Sequence, residues 1–287
     1  MVVDLTIVGK KGHADLYKPI KDALAIHANI CEKARGEWQV VLVSPKNRNL
    51  TEGLDLTLRA LLADVLEEHI LTELKQPLLQ DMIRKHYYYL TRPEREKVFY
   101  YSSLRDSTVS RQAQQQVREN LRNYLANCRH LNLWGLIRFR LPCYLEGLKN
   151  VVEGAVDDYL IEKEYQEFIK LLKYFVEIQE PKVLEAHVLL DPGGRFQIRD
   201  GQKRLVDQDS EEMKAAYLKD RVDSEDMLVS ALVTAAPGRV ILHRQVDARY
   251  PKLSGTLKKI FEGKMTLCGN CPECASQAKV KYPLATD

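Results

Sequence analysis

No apolar run in this 287-residue sequence approaches the roughly 18 residues that a membrane span requires, so no transmembrane helix is expected. The opening residues, M-V-V-D-L-T-I-V, alternate like a strand and have neither a basic n-region nor a small-residue cleavage site, so no secretory signal is read there. Together these absences point to the cytoplasm, where cysteines stay reduced. Cysteine is itself scarce, and three of the six fall together near the C-terminus, a spacing that suggests a metal rather than a disulfide framework. The motifs of several enzyme classes are also missing: there is no nucleophile elbow, no Walker loop, no H-E-x-x-H pair and no G-x-G-x-x-G. Gly9-Lys10-Lys11-Gly12 lacks the phosphate-loop spacing and reads as a glycine turn with solvated lysines. Acidic pairs such as Asp157-Asp158 sit on adjacent helical positions that point about 100° apart. No catalytic residue is nominated, and the expectation leans towards binding rather than catalysis.

Neither sign of charge dominates, with 43 basic against 40 acidic residues. The balance hides an asymmetry. Arg84 to Arg140 holds twelve basic and four acidic residues, a local +8, whereas Leu145 to Glu185 holds five basic and ten acidic, a local −5. A 45% hydrophobic chain of this length can bury a core in one large domain or two modest ones.

The organising stretch is Tyr144 to Gln179. Leu148, Val151, Val152, Ala155, Val156, Tyr159 and Leu160, then Phe168, Leu171, Leu172, Phe175 and Val176, recur at threes and fours, and Pro181 stops the pattern. An unbroken helix of that length would reach about 50 Å, so a bend is expected near Gly154 or Glu162 to Glu164. Around it the sequence predicts a mixed α/β, helix-rich fold. Strands over Asp4 to Val8 and Trp38 to Val43 with a helix over Ala14 to Ala34 make a small N-terminal β-α-β unit, residues 1–50. Helices over Asp55 to Leu74, from Pro77 to about Leu90, and over Thr108 to His130 fill a helical region, residues 51–180, with aromatic clusters at Tyr87 to Tyr89 and Phe99 to Tyr101. Gly135 and Pro142 read as turns. Residues 181–287 form a C-terminal α/β region: a hairpin (Leu184 to Leu190, Arg195 to Arg199), helices over Ser210 to Leu218, Ser224 to Ala235 and Leu253 to Glu262, and strands over Arg239 to His243 and Met265 to Leu267.

Two features carry chemistry. Cys268, Cys271 and Cys274 form C-x2-C-x2-C in a loop containing glycine, asparagine and proline, which can fold three thiolates around one point. Thiolates suit Zn(II), and less well here an iron–sulfur cluster, because no fourth Cys-Pro follows. His243 on the preceding strand, a remote cysteine (Cys31, Cys128 or Cys143) or a second chain can supply the fourth ligand; the competing reading is a reduced, redox-sensitive tail. The second feature is a row of arginines, Arg111, Arg118, Arg122 and Arg129, within about 20° of one line along some 27 Å of helix. Such a row can track nucleic-acid phosphates, or it can be a solvated face or a partner for carboxylates of the helix that follows. His69, His86 and His187 read as ordinary polar positions.

The segments Phe139 to Leu145, Glu162 to Gln179, Leu232 to His243 and Thr256 to Cys274 resemble the YtxC-like family of sporulation proteins of endospore-forming bacteria. The resemblance implies a bacterial, cytoplasmic, sporulation-associated protein and carries no catalytic residues with it; the binding reading adds an unknown protein partner. The expected function is a scaffold or regulatory module with a C-terminal cysteine site, the alternative being a nucleic-acid binder that uses the arginine row.

Overall fold

The computed structural model describes residues 4–46, 52–105, 111–191, 193–206, 224–269, 271–272 and 274. The chain is helix-rich with two small mixed sheets, and it divides into two units, Met1–Ile161 and Glu162–Asp287.

In the N-terminal unit, β1 (Leu5–Lys10), β2 (Ala28–Arg35), β3 (Trp38–Pro45) and β4 (His130–Asn132) form a sheet in the order β2-β3-β1-β4. Strand β1 runs antiparallel to β3 and parallel to β4. The opening runs β1-α1-β2-β3, with antiparallel pairing and an extra strand where the sequence suggested more helix. The helix expected over Ala14 to Ala34 is helical only as α1 (Tyr17–Leu24), and the rest of that stretch is strand β2. All eight residues of β2 pair with β3 through the two-residue loop Gly36-Glu37, where Gly36 adopts φ +56°. A full ladder closed by a left-handed glycine outweighs the modest helix propensity of A-N-I-C-E-K-A-R. Gly9 lies inside β1, and a Cβ there would run into the Leu16 side chain, so close packing rather than phosphate binding explains that glycine.

Helices α2 (Glu52–Leu71), α3 (Lys75–His86), α4 (Arg92–Leu104), α5 (Arg111–Asn127), α6 (Leu133–Arg140) and the first part of α7 (Pro142–Ile178) complete this unit. Helix α4 is unforeseen: its signal is the capping box of Thr91 and Glu94, with Pro93 in the first turn. Gly135 sits inside α6, which Asn132 caps by accepting from the Gly135 N–H at 3.0 Å, and Pro142 opens α7, where a missing N–H costs nothing. Neither residue marks a turn. Helix α5 buries Val117, Leu121 and Leu125 and packs on α2; the Arg59 guanidinium of α2 donates to the Leu125 and Cys128 carbonyls at the end of α5. Tyr144, Leu148, Val152, Ala155 and Tyr159 of α7 enter the same core, and the Tyr144 hydroxyl donates to the Ile70 carbonyl at 2.9 Å.

His69 of α2 is 3% exposed, and neither of its ring nitrogens has a hydrogen-bond partner among the described residues. Burial lowers its pKa below the usual 6.5, against smaller opposing effects of Glu73 and Asp15. The unfolded chain thus takes up a proton, as pH falls through 6.5, that the folded chain refuses. This part of the stability is complete above that pH and is lost below it. His69→Leu is expected to raise stability by about 1–3 kcal/mol and to flatten the decline below pH 6.5, read as urea midpoints across pH. An unchanged acid limb would show that the imidazole is not responsible.

In the C-terminal unit, β5 (Val183–Leu190), β6 (Phe196–Asp200), β7 (Pro237–Leu242) and β8 (Met265–Leu267) lie in the order β6-β5-β7-β8. The expected hairpin is present as β5 and β6, closed by Asp191, whose carboxylate accepts from the Arg195 backbone and guanidinium. The three strands β5, β7 and β8 run parallel. Helix α8 (Ser224–Ala235) lies where expected, α10 (Pro251–Ile260) begins two residues early, and α9 (Arg244–Arg249) is unforeseen. The helix expected over Ser210 to Leu218 lies outside the described residues. Ile169 and Val176 of α7 join Val188, Leu232, Val240, Leu257 and Phe261 in this unit's core. The helix predicted over Tyr144 to Gln179 is α7.

Candidate metal centre

Parallel pairing brings the carboxyl ends of β5, β7 and β8 to one edge of the sheet, where α/β folds commonly place ligands. His243 follows β7 directly, and its N–H donates to the Val188 carbonyl at 3.0 Å. Cys268 follows β8 directly, and its N–H donates to the Leu242 carbonyl at 2.9 Å. The ladders thus carry both residues to the same place, although 24 residues separate them in sequence. Cys271 and Cys274 arrive on the loop that follows: the Cys271 N–H points at Cys268 Sγ, 3.4 Å away, and the Gln245 side-chain amide donates to the Cys274 carbonyl at 3.1 Å.

His243 Nδ1 is 3.2 Å from Cys274 Sγ and 3.5 Å from Cys271 Sγ, and Cys274 Sγ is 3.9 Å from Cys268 Sγ. The four donor atoms lie within 4.8 Å of one another, a group that can hold a metal ion. In a tetrahedral site with Zn–S of about 2.3 Å and Zn–N of about 2.0–2.1 Å, the edges come to about 3.8 Å between sulfurs and about 3.5 Å between sulfur and nitrogen. The three separations of 3.2, 3.5 and 3.9 Å sit near those edges. His243 and Cys274 are buried, and Cys268 and Cys271 are half-buried. Burial, with the neighbouring Cys271 and Cys268 sulfurs, pushes the Cys274 thiol up to about 12, while the Arg244 backbone N–H pulls the other way. Packed thiols of this kind ionise readily only when a cation shares their site. A cleft of about 200 Å³ reaches His243, Cys268 and Cys271 from solvent beside Arg199 and Lys203.

All four nominated residues are therefore brought together, whereas Cys31, Cys128 and Cys143 belong to the other unit and stand outside the group. Sequence reading missed His187. It is not an isolated surface histidine: its Nδ1 lies 3.2 Å from His243 Nε2, and its Nε2 lies 4.0 Å from Glu185 Oε2. Were His243 Nδ1 to ligate a metal, its Nε2 would carry the proton and donate to His187, the outer contact that fixes a ligand's tautomer and ring orientation. His187→Ala is expected to weaken metal affinity about 10–100-fold without changing stoichiometry at saturating metal, read by chelator competition. Unchanged affinity would leave His187 without that part.

The arginine row is divided. Arg111, Arg118 and Arg122 lie on α5, and Arg129 lies beyond its end. Arg118 donates to Glu67 and Arg122 to Asp64, each at 2.9 Å. Both carboxylates belong to α2, the helix that precedes rather than the one that follows, so half the row's charge is answered within the fold.

Fold and site together define a helix-rich α/β protein with a Cys3His group at the carboxyl edge of a small, mostly parallel sheet. The YtxC-like family model matches residues 60–266, and the chain belongs to that family. The matched span contains His187 and His243 and ends before Cys268. A curated relative, "Uncharacterized protein YtxC" of Bacillus subtilis (strain 168), is 29% identical over 135 residues, 45% of this chain and 45% of that protein, so the match spans about half the relative's length. No solved structure matches. Among the described residues no helix is long and apolar enough to cross a membrane.

Proposed function

We propose that this protein is a non-enzymatic, cytoplasmic binding or scaffold module of sporulation, in which Cys268, Cys271, Cys274 and His243 hold Zn(II). The observation that carries this reading is the meeting of the four donor atoms within 4.8 Å at the carboxyl edge of the sheet. Three thiolates and one imidazole suit zinc, and a four-ligand set has no open position for substrate, so the ion's part is structural. It fastens the loop after β8 to the end of β7. A sporulation role is what the resemblance of the sequence segments, the long helix above all, implies.

Elemental analysis of protein purified without added metal tests the metal reading, with one zinc per chain expected. Protein free of metal, or iron accompanied by acid-labile sulfide, would refute it. Disruption of the gene in an endospore-forming host is expected to lower heat-resistant spore counts while leaving vegetative growth unchanged.

A further inference from the structure

The part of α7 in the C-terminal unit has two apolar faces, only one of which is covered among the described residues. Ile169 and Val176 are buried against the sheet, with Tyr165 and Leu172 beside them. About 110° around the helix, Phe168, Leu171, Tyr174, Phe175 and Ile178 are 47–58% exposed. Phe168, Leu171, Phe175 and Ile178 are spaced three, four and three apart, the alternation of a helix-on-helix seam. The helix cannot roll to hide them. Tyr165 and Thr256 hydroxyls meet at 2.7 Å, Lys173 pairs with Glu262 at 2.7 Å, and Lys264 Nζ donates to the Val176 carbonyl at 3.1 Å, all on the side away from the exposed stripe.

We propose that this stripe is the interface of a two-fold homodimer in which α7 pairs antiparallel with α7 of a second copy. The spacing calls for another helix with the same spacing, which the chain itself supplies. At roughly 120 Å² per side chain the five residues offer about 600 Å² per copy, or about 1,200 Å² for the pair, the lower end of specific interfaces. Charge selects the direction. Exposed Glu164 lies on the stripe's axis just before Phe168, and Glu167 lies at its rim. Parallel pairing would set each glutamate against its own copy. Antiparallel pairing about Lys173 moves the two Glu164 carboxylates about 27 Å apart along the axis and sets Leu171 against the partner's Phe175.

Sedimentation of the full metal-replete chain under reducing conditions tests this. Wild type is expected to dimerise at low micromolar concentration. Leu171→Glu and Phe175→Lys, both on exposed positions, are each expected to weaken association about 100-fold or more with unchanged circular dichroism. The two variants mixed are expected to associate again, because antiparallel pairing brings the new charges together. A wild type that stays monomeric to about 100 μM, or single variants that dimerise like it, would overturn the interface. Single variants that are monomeric and fail to associate when mixed would overturn the antiparallel pairing.

Discussion

Cys274→Ser is expected to purify without its equivalent of zinc and to melt on the order of 10 °C below wild type, and a strong chelator is expected to bring wild type down to the same temperature. The size follows from linkage. An ion that binds only the folded chain stabilises it by about 4 kcal/mol when its free concentration is about 1,000 times Kd, and a kilocalorie moves the midpoint of a unit this size by about 3–6 °C. Cys274 is the most telling of the three cysteines because it is buried and lies 3.2 Å from His243 Nδ1. Replacing a thiolate by a hydroxyl removes a zinc ligand while changing little volume. Cys31→Ser, at an exposed cysteine outside the group, is the matched control and should change neither quantity. A Cys274→Ser protein that keeps its metal and its melting temperature would remove the ion from the account of this fold.

The second large effect is expected at Phe261, which is 0% exposed in the core of the C-terminal unit. Phe261→Ala should cost about 3–5 kcal/mol, from lost transfer energy and the cavity left behind, a large share of a typical total of about 5–15 kcal/mol. The position also matters to the metal group. The Phe261 N–H donates to the Leu257 carbonyl and its own carbonyl accepts from the Lys264 N–H, both at 2.9 Å, in the turn that feeds β8. Gly263, at φ +78°, completes that turn. Since Cys268 follows β8 directly, a loosened turn should also weaken metal retention. Phe139→Ala, at a side chain 78% exposed in the other unit, should stay within about 0.5 kcal/mol of wild type by urea titration. Equal effects at the two phenylalanines would contradict the assignment of the core.

Much of the helical architecture was legible because its signal is local. Apolar residues three and four apart along α2, α5 and α7 report the face of a helix whatever it packs against, and Pro181 reports where the last one must stop. The hairpin of β5 and β6 was legible for the same reason, its turn residues lying between two alternating strands. Where local preference and pairing disagreed, pairing won: A-N-I-C-E-K-A-R satisfies a helix pattern, yet it became β2 because β3 offered eight backbone partners across a glycine loop. Helix α4 was less legible because its consecutive aromatics, Phe99 to Tyr101, blur the apolar period behind the capping box of Thr91 and Glu94.

The candidate site divides along the same line. By itself the sequence determined that three thiols stand three residues apart in a loop able to turn them inward, since that is a matter of short-range geometry. Three kinds of source for a fourth donor remained open, and only the tertiary structure brings His243 to the sulfurs, because the parallel register of β7 and β8 puts the residue after each strand at the same edge. The same register decided that His187 stands behind His243, and the packing of α2 on α5 decided that Arg118 and Arg122 meet carboxylates. Each of these outcomes depends on which strands or helices become neighbours, and that is set by burial of distant apolar residues rather than by the residues that carry the chemistry.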